Sequence, residues 1–246
     1  MPLAMDKHGE VVHIPKRRDV FQFDEEVAAV FDSMAPRSIP LYNEAHRLHV
    51  SLLHESLRPG AVVADIGSST GHLFRAIEKQ QGVPFERTGI DGIALDLSSP
   101  MMERLSKEFP SVYTVVADIA NAPDLPKPAD LLFCLYVLQF IHPFQKKAAL
   151  DWIVRNTKVG GCMVLGQKED VGRDWMADRF SDEYYKFRRD NGYTQEEIDA
   201  KTEALKGSMW PILNDDLLWE LRDRDVVVYE TSRWLQFSTL VGIRRG

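Results

Sequence analysis

Residues Asp65, Gly67 and Gly71 carry the strongest chemical signal in the chain. They lie in Val62-Val63-Ala64-Asp65-Ile66-Gly67-Ser68-Ser69-Thr70-Gly71-His72-Leu73, where a β-branched apolar run ends in an acid, passes two glycines four apart, and turns helix-like. The pattern reads as a strand, a tight turn and a helix start. Glycine tolerates φ > 0 and leaves bare backbone against which a ligand can lie, and the first N–H groups of a helix have no partner within it. A ligand with hydroxyls, a carboxylate or phosphates fits such a corner at the carboxyl end of a strand. No Gly-Lys-Ser/Thr follows, which excludes a P-loop, and the glycine spacing is not the G-x-G-x-x-G of a dinucleotide site.

Two further acids stand at strand ends downstream. In Thr88-Gly89-Ile90-Asp91-Gly92-Ile93-Ala94-Leu95-Asp96, Asp96 is chosen as the tip of the second strand, with Asp91 as the alternative; Leu97-Ser98-Ser99-Pro100 then opens a helix. A carboxylate there can accept both hydroxyls of a ribose. Asp118-Ile119 ends a third strand and suits an adenine, whose amino group needs an acceptor while its faces need apolar cover. His46 and His49 have a spacing that invites a metal, but no third ligand accompanies them, so they read as solvated or partly packed, and no metal site is expected.

These residues need an alternating frame. Residues 1–20 are polar, include Lys16-Arg17-Arg18, and read as a flexible arm, leaving 21–246 as one domain. Asp24 caps a helix carrying Val27, Val30, Phe31 and Met34 that Pro36 is expected to end. A second helix carries Leu41, Ala45, Leu48, Leu52 and Leu57, up to Arg58-Pro59-Gly60. Strands then alternate with helices: 61–66, the run ending at Asp96, the buried-type 112–117, 130–136 and 162–167. Short alternation of this kind implies parallel pairing with right-handed crossovers. Residues 168–213 break it with a charged, aromatic helical insertion, read as a lid or an interface, in which Thr194-Gln195-Glu196-Glu197 is a capping box. A helix at 214–222 and the runs 226–230 and 234–243 complete the chain as an antiparallel hairpin.

The 246 residues are 44% hydrophobic, enough for a full core, and the formal charge of −7 offers no global basic field for nucleic acid. Cys134 and Cys162 fall in apolar runs and read as buried thiols. No stretch approaches the ~20 apolar residues of a membrane span, and the first residues lack an apolar signal core, so a cytoplasmic location is expected.

The set Asp65-x-Gly67-x-x-x-Gly71, the two acidic strand ends and the terminal hairpin resembles the class I S-adenosylmethionine-dependent methyltransferases. The resemblance implies a Rossmann-like α/β fold: a seven-stranded, mostly parallel sheet, an antiparallel C-terminal hairpin, two N-terminal helices and the insertion after strand five. Phe23-Asp24-Glu25-Glu26-Val27-Ala28, Arg37-Ser38-Ile39-Pro40-Leu41-Tyr42, Leu138-Gln139-Phe140, Asn191-Gly192-Tyr193 and Trp234-Leu235-Gln236-Phe237 with Ser238-Thr239-Leu240-Val241 are similar to the carboxy-S-adenosylmethionine synthase family. That resemblance implies a homodimer that combines S-adenosylmethionine with prephenate to make the carboxylated cofactor used in tRNA wobble-uridine modification. It places Tyr42, Gly67, Ser68, Ser69, Asp96, Leu97, Asp118 and Ile119 around the cofactor, to which the loop motif adds Asp65 and Gly71.

Two positions depart from the family pattern. Leu135 stands where it has an asparagine in strand four, and Thr202 where it has the arginine that pairs with the cofactor carboxylate; Lys201 or Lys206 would substitute only with the helix rotated or shifted in register. The reading adopted on the sequence is a methyltransferase diverged from that family, turning S-adenosyl-L-methionine into S-adenosyl-L-homocysteine on a small-molecule acceptor. Gln139, His142, Tyr184, Tyr185, Arg188 and Tyr193 are candidate acceptor-side residues, and Leu135 lies beside the cofactor. Carboxy-S-adenosylmethionine synthesis from prephenate is the alternative, and a non-catalytic S-adenosylmethionine-binding protein the second.

Overall fold

Asp24 caps the first helix as expected: its carboxylate accepts from the Val27 amide at 3.1 Å, and the helix buries Val27, Ala28, Phe31 and Met34. The structure, a computed structural model, describes residues 4–5, 11–12 and 23–246. Strands β1 (Ala4–Met5) and β2 (Val11–Val12) pair antiparallel. The rest of the 1–20 arm, with Lys16-Arg17-Arg18, lies outside the described residues. Helices α1 (Glu25–Ser38) and α2 (Tyr42–Leu52) follow. Then come β3 (Val62–Ile66), α3 (His72–Gln81), β4 (Asp91–Asp96), α4 (Ser99–Glu108), β5 (Tyr113–Val116), β6 (Ala129–Leu135) and α5 (Pro143–Asn156). The chain closes with β7 (Thr157–Lys168), α6 (Trp175–Asp190), α7 (Gln195–Leu205), α8 (Asn214–Arg222), β8 (Val226–Trp234) and β9 (Phe237–Arg244).

The large sheet has seven strands in the order β5-β4-β3-β6-β7-β9-β8. β3 to β7 pair parallel, and β9 pairs antiparallel with both β7 and β8. The order reverses between β3 and β6, so the carboxyl ends of β3, β4 and β6 open onto one crevice. Side chains alternate across a strand: Val63 faces a core shared with Phe31, Phe74 and Phe109, while Ala64 and Ile66 face one built on Trp152, Ile153 and Leu217. The predicted α/β class, sheet and terminal hairpin are all present. Among the described residues, no helix is long and apolar enough to cross a membrane.

Four local expectations are corrected. Pro36 lies inside α1, which continues to Ser38, because a proline in the last turn forfeits one amide while Ile39 N–H still reaches the Ala35 carbonyl at 2.9 Å. α2 ends at Leu52, before a short 3₁₀ turn at His54–Ser56, and buries Tyr42, Ala45, His46, His49 and Val50; Leu48 and Leu52 face outward. His46 and His49, expected to be solvated or partly packed, are therefore buried. Each ring bonds the carbonyl one turn back, His49 also meets the Thr231 hydroxyl at 2.7 Å, and burial lowers both pKa values, that of His46 to about 4. The third strand of the alternation, β5, is the sheet edge and leaves Tyr113 and Val116 exposed. Cys134 is buried but Cys162 is half-buried.

Candidate functional site

The turn after β3 is pinned to the end of β4 by backbone. Gly67 N–H donates to the Leu95 carbonyl at 2.7 Å, and Ser69 N–H donates to Asp96 Oδ2 at 2.9 Å. The other carboxylate oxygen of Asp96 accepts from Ser98 N–H at 2.8 Å. Burial raises the Asp96 pKa, opposed by these backbone donors. Both residues of the earlier choice lie on β4, at opposite ends: Asp96 borders the crevice, while Asp91 pairs with Lys127 at the far edge. Gly67 has φ +67°, and a Cβ there would sit 2.2 Å from Val137 Cγ2. At Gly71, φ is +95° and a Cβ would meet the Phe109 ring at 2.9 Å. Only a bare backbone fits both places.

A cavity of about 430 Å³ opens above this turn. That is the size of a small-molecule site. Of the cofactor-side residues named from sequence, Tyr42, Gly67, Ser69, Asp96, Leu97, Asp118, Ile119 and Leu135 line it. Asp65, Ser68 and Gly71 stand behind the wall; Asp65 is buried, which raises its pKa, with Asp96 adding to the effect. Asp118 accepts from Ala120 N–H at 3.0 Å, which fixes the carboxylate beside buried Ile119.

Of the acceptor-side candidates, Gln139, His142 and Tyr184 line the cavity, whereas Tyr185, Arg188 and Tyr193 do not. Gln139 donates to the Tyr136 carbonyl at 2.8 Å and leaves its buried Oε1 without a partner among the described residues. His142 caps α5, its ring 4.9 Å from that of Trp210. Tyr184 donates to the Ser38 carbonyl at 2.9 Å, and burial pushes its pKa up to about 12. The Tyr193 hydroxyl is 2.8 Å from Ser38 Oγ, so this tyrosine braces the wall from behind.

Two lysines line the cavity, Lys201 from the insertion, which the sequence reading admitted only with its helix rotated or shifted, and Lys168, which it did not place. Lys201 lines the cavity without any rotation of α7, its Nζ donating to Ser38 Oγ at 3.1 Å. Burial, with Arg188 and Arg37 nearby, lowers its pKa to about 7. Lys168, at the end of β7, lies 4.7 Å from the centre of the Tyr184 ring, and burial lowers its pKa to about 8. Thr202 instead turns back on its own helix, its hydroxyl donating to the Ile198 carbonyl at 2.7 Å. Lys206 is exposed beside Glu203. A helix face is settled by which residues its partner covers, and matching position 202 to the family pattern carries no signal of it.

The comparisons with known proteins agree with this architecture. A methyltransferase domain family matches residues 63–161. The carboxy-S-adenosyl-L-methionine synthase of Helicobacter pylori strain J99 is 33% identical over 233 residues, covering 90% of this chain and 93% of that protein. The chain belongs to the carboxy-S-adenosyl-L-methionine synthase family. The family's enzyme from Desulfotalea psychrophila is 30% identical over 248 residues, covering 97% of this chain and 98% of its own. In fold, the chain resembles one from the complex between the Haloferax volcanii Trm112 methyltransferase activator and the putative methyltransferase. There the TM-score is 0.60 at 17% identity, with 94% of this chain and 100% of that chain covered.

The protein is thus a class I S-adenosylmethionine-dependent transferase, with S-adenosylmethionine as its cofactor. The site fits that molecule: a turn whose two glycines leave no room for a Cβ, a buried carboxylate at the tip of β4, and a half-polar wall at Asp118-Ile119.

Proposed function

We propose that this protein is a carboxy-S-adenosylmethionine synthase that uses prephenate as its co-substrate. The observation that carries the reading is Lys201, a cation in the cavity wall with no carboxylate bonded to it among the described residues. Like charges repel, so an ammonium beside a sulfonium cofactor is destabilising unless a ligand places an anion between them. Carboxyl transfer supplies that anion twice, on the co-substrate and on the product. Simple methyl transfer, the reading first drawn from the sequence, has no use for the lysine unless its acceptor is itself anionic.

When bound, S-adenosylmethionine supplies a methyl carbon made reactive by the attached sulfonium. The residues have separate tasks around it. Asp96 accepts the ribose hydroxyls, with Ser69 and Ser98 N–H fixing its carboxylate. Asp118 and Ile119 receive the adenine, and Gly67, with Ser68, Ser69 and Gly71 shaping the turn, lets the methionine end lie against backbone. Tyr42 closes that end, and Leu135 keeps it dry. Lys201 takes the role that the family pattern gives to the arginine at position 202. Tyr184 and Lys201 carry the insertion over the cavity, so 168–213 acts as a lid that excludes water from the reacting atoms. The same reading makes the protein a cytoplasmic homodimer without a nucleic-acid surface of its own; the exposed Leu48 and Leu52 on α2 support the subunit contact.

Incubation of the purified protein with S-adenosylmethionine and prephenate, followed by mass spectrometry, tests the reading. A product heavier than the cofactor by one carboxylate is expected, lost in Lys201→Met. Accumulation of S-adenosylhomocysteine alone would favour methyl transfer.

A further inference from the structure

Arg188 is a buried cation with unpartnered donors among the described residues. It lies on α6 with 3% of its surface exposed, yet its Nε and Nη2 have no hydrogen-bond partner among the described residues. The guanidinium rests on the Tyr193 ring at 4.5 Å, which shields one face and satisfies none of these donors. A buried cation is normally matched by a carboxylate, since stranding one is strongly destabilising. Glu169, the acid beside Lys168 in sequence, accepts from Arg233 through Oε2 at 2.8 Å, and its buried Oε1 has no partner among the described residues.

Arg188 is not isolated. Arg188 and Lys201 share the Tyr193 ring, at 4.5 and 5.9 Å from its centre, and Tyr184, over which Lys168 lies, bonds Ser38 as Lys201 does. Lys168 lies over the Tyr184 ring, one helical turn before Arg188 on α6, and also 5.8 Å from the Phe237 ring centre. Three cations therefore converge on the lid side from β7, α6 and α7. Lys201 is bonded to Ser38, while among the described residues neither Lys168 nor the Nε and Nη2 of Arg188 has an acid as partner. One carboxylate neutralises one of these groups and leaves the others stranded.

We propose that Lys168 and Arg188 form an anion subsite of their own in the lid wall, which takes a second carboxylate of the co-substrate while Lys201 serves the carboxyl group that is transferred. The assignment rests on the synthase reading above and adds to it the reason a dicarboxylate is selected. Lys168 touches the anion directly from the cavity wall. Arg188, which does not line the cavity, acts from behind the wall, where it rests on the Tyr193 ring, by holding the local potential positive.

The test is calorimetry on protein saturated with S-adenosylhomocysteine, which has no methyl group to react. Prephenate, a dicarboxylate, and phenylpyruvate, a monocarboxylate, are titrated into wild type, Lys168→Met, Arg188→Met and Arg188→Lys. Loss of one buried charge contact should weaken prephenate by about tenfold or more in the two methionine variants. Phenylpyruvate and S-adenosylhomocysteine affinities should stay near wild type, and Arg188→Lys should recover much of the loss. If Arg188→Met does not fold, Arg188→Lys and Lys168→Met carry the measurement.

Unchanged prephenate binding in the variants overturns the proposal, as does equal weakening of both probes, or wild type that binds no prephenate. The synthase reading is judged separately by product formation. Carboxylated product with no effect of these substitutions leaves that reading standing and removes the subsite. Charge-dependent prephenate binding without such product does the reverse.

Discussion

Gly67→Ala should damage both stability and cofactor binding, by amounts that the local geometry sets. At φ +67° a side chain costs about 1–2 kcal/mol in backbone strain. The new Cβ would also stand 2.2 Å from Val137 Cγ2, and valine, branched at Cβ, has little freedom to swing away. Overpacking of this kind costs about 1–3 kcal/mol, giving about 2–5 kcal/mol together. In a chain of this length each kcal/mol lowers the melting temperature by about 2–4 °C, so a loss of roughly 4–20 °C is expected. Gly60→Ala is the control: φ is +81°, but nothing lies within 4 Å of the added atom, so strain acts alone. Paired thermal melts and calorimetric titration with S-adenosylhomocysteine should show Gly67→Ala well below Gly60→Ala, with affinity reduced about tenfold or more as the turn shifts away from Asp96. Equal melting temperatures for the two variants, or unaltered affinity in Gly67→Ala, would refute the account of this turn.

Asp96→Asn replaces an acceptor by a donor facing either Ser69 or Ser98 N–H; hydrogen bonds to a charged group are worth about 1.5–3 kcal/mol, so S-adenosylhomocysteine should bind about 10- to 100-fold more weakly by calorimetry. Lys201 is held near pKa 7, far below its value in the unfolded chain, so between about pH 7 and 10 the unfolded state binds more protons and stability of the ligand-free protein rises with pH. Lys201→Met should flatten that rise and stabilise the protein at pH 7, read from urea midpoints at pH 7 and 9. For the same reason prephenate binding at pH 7.5 should take up a proton, seen as a buffer-dependent heat that Lys201→Met abolishes. Thr202→Ala should leave turnover within about threefold of wild type, because its hydroxyl bonds its own helix; a large loss would return position 202 to the site.

Much of this was readable without coordinates because it is encoded locally. Asp65, Gly67 and Gly71 declare a strand, a turn and a helix by residue type, and Asp24, Ser98 and Thr194 cap helices where hydroxyl or carboxylate meets free N–H. What failed depended on neighbours far along the chain. Leu48 and Leu52 looked like the buried stripe of α2, but the core takes Tyr42, His46 and His49, whose rings meet His72 and Thr231 from elsewhere. The apolar run ending at Ala117 reads as a buried-type strand, yet pairing order makes it the sheet edge. Lys201 was passed over for position 202 because one residue is 100° of helix, and only the contact with Ser38 fixes which of the two faces the cavity.

The central claim, that the cavity cations serve carboxyl transfer, is tested most directly by tracing the carbon. Wild-type protein is incubated with S-adenosylmethionine and prephenate carrying heavy carbon in its carboxylates, and the nucleoside product is weighed and fragmented. The account predicts a cofactor heavier by one carboxylate, with the heavy carbon next to the former methyl group. Unlabelled cofactor, or S-adenosylhomocysteine as the only product, would contradict it.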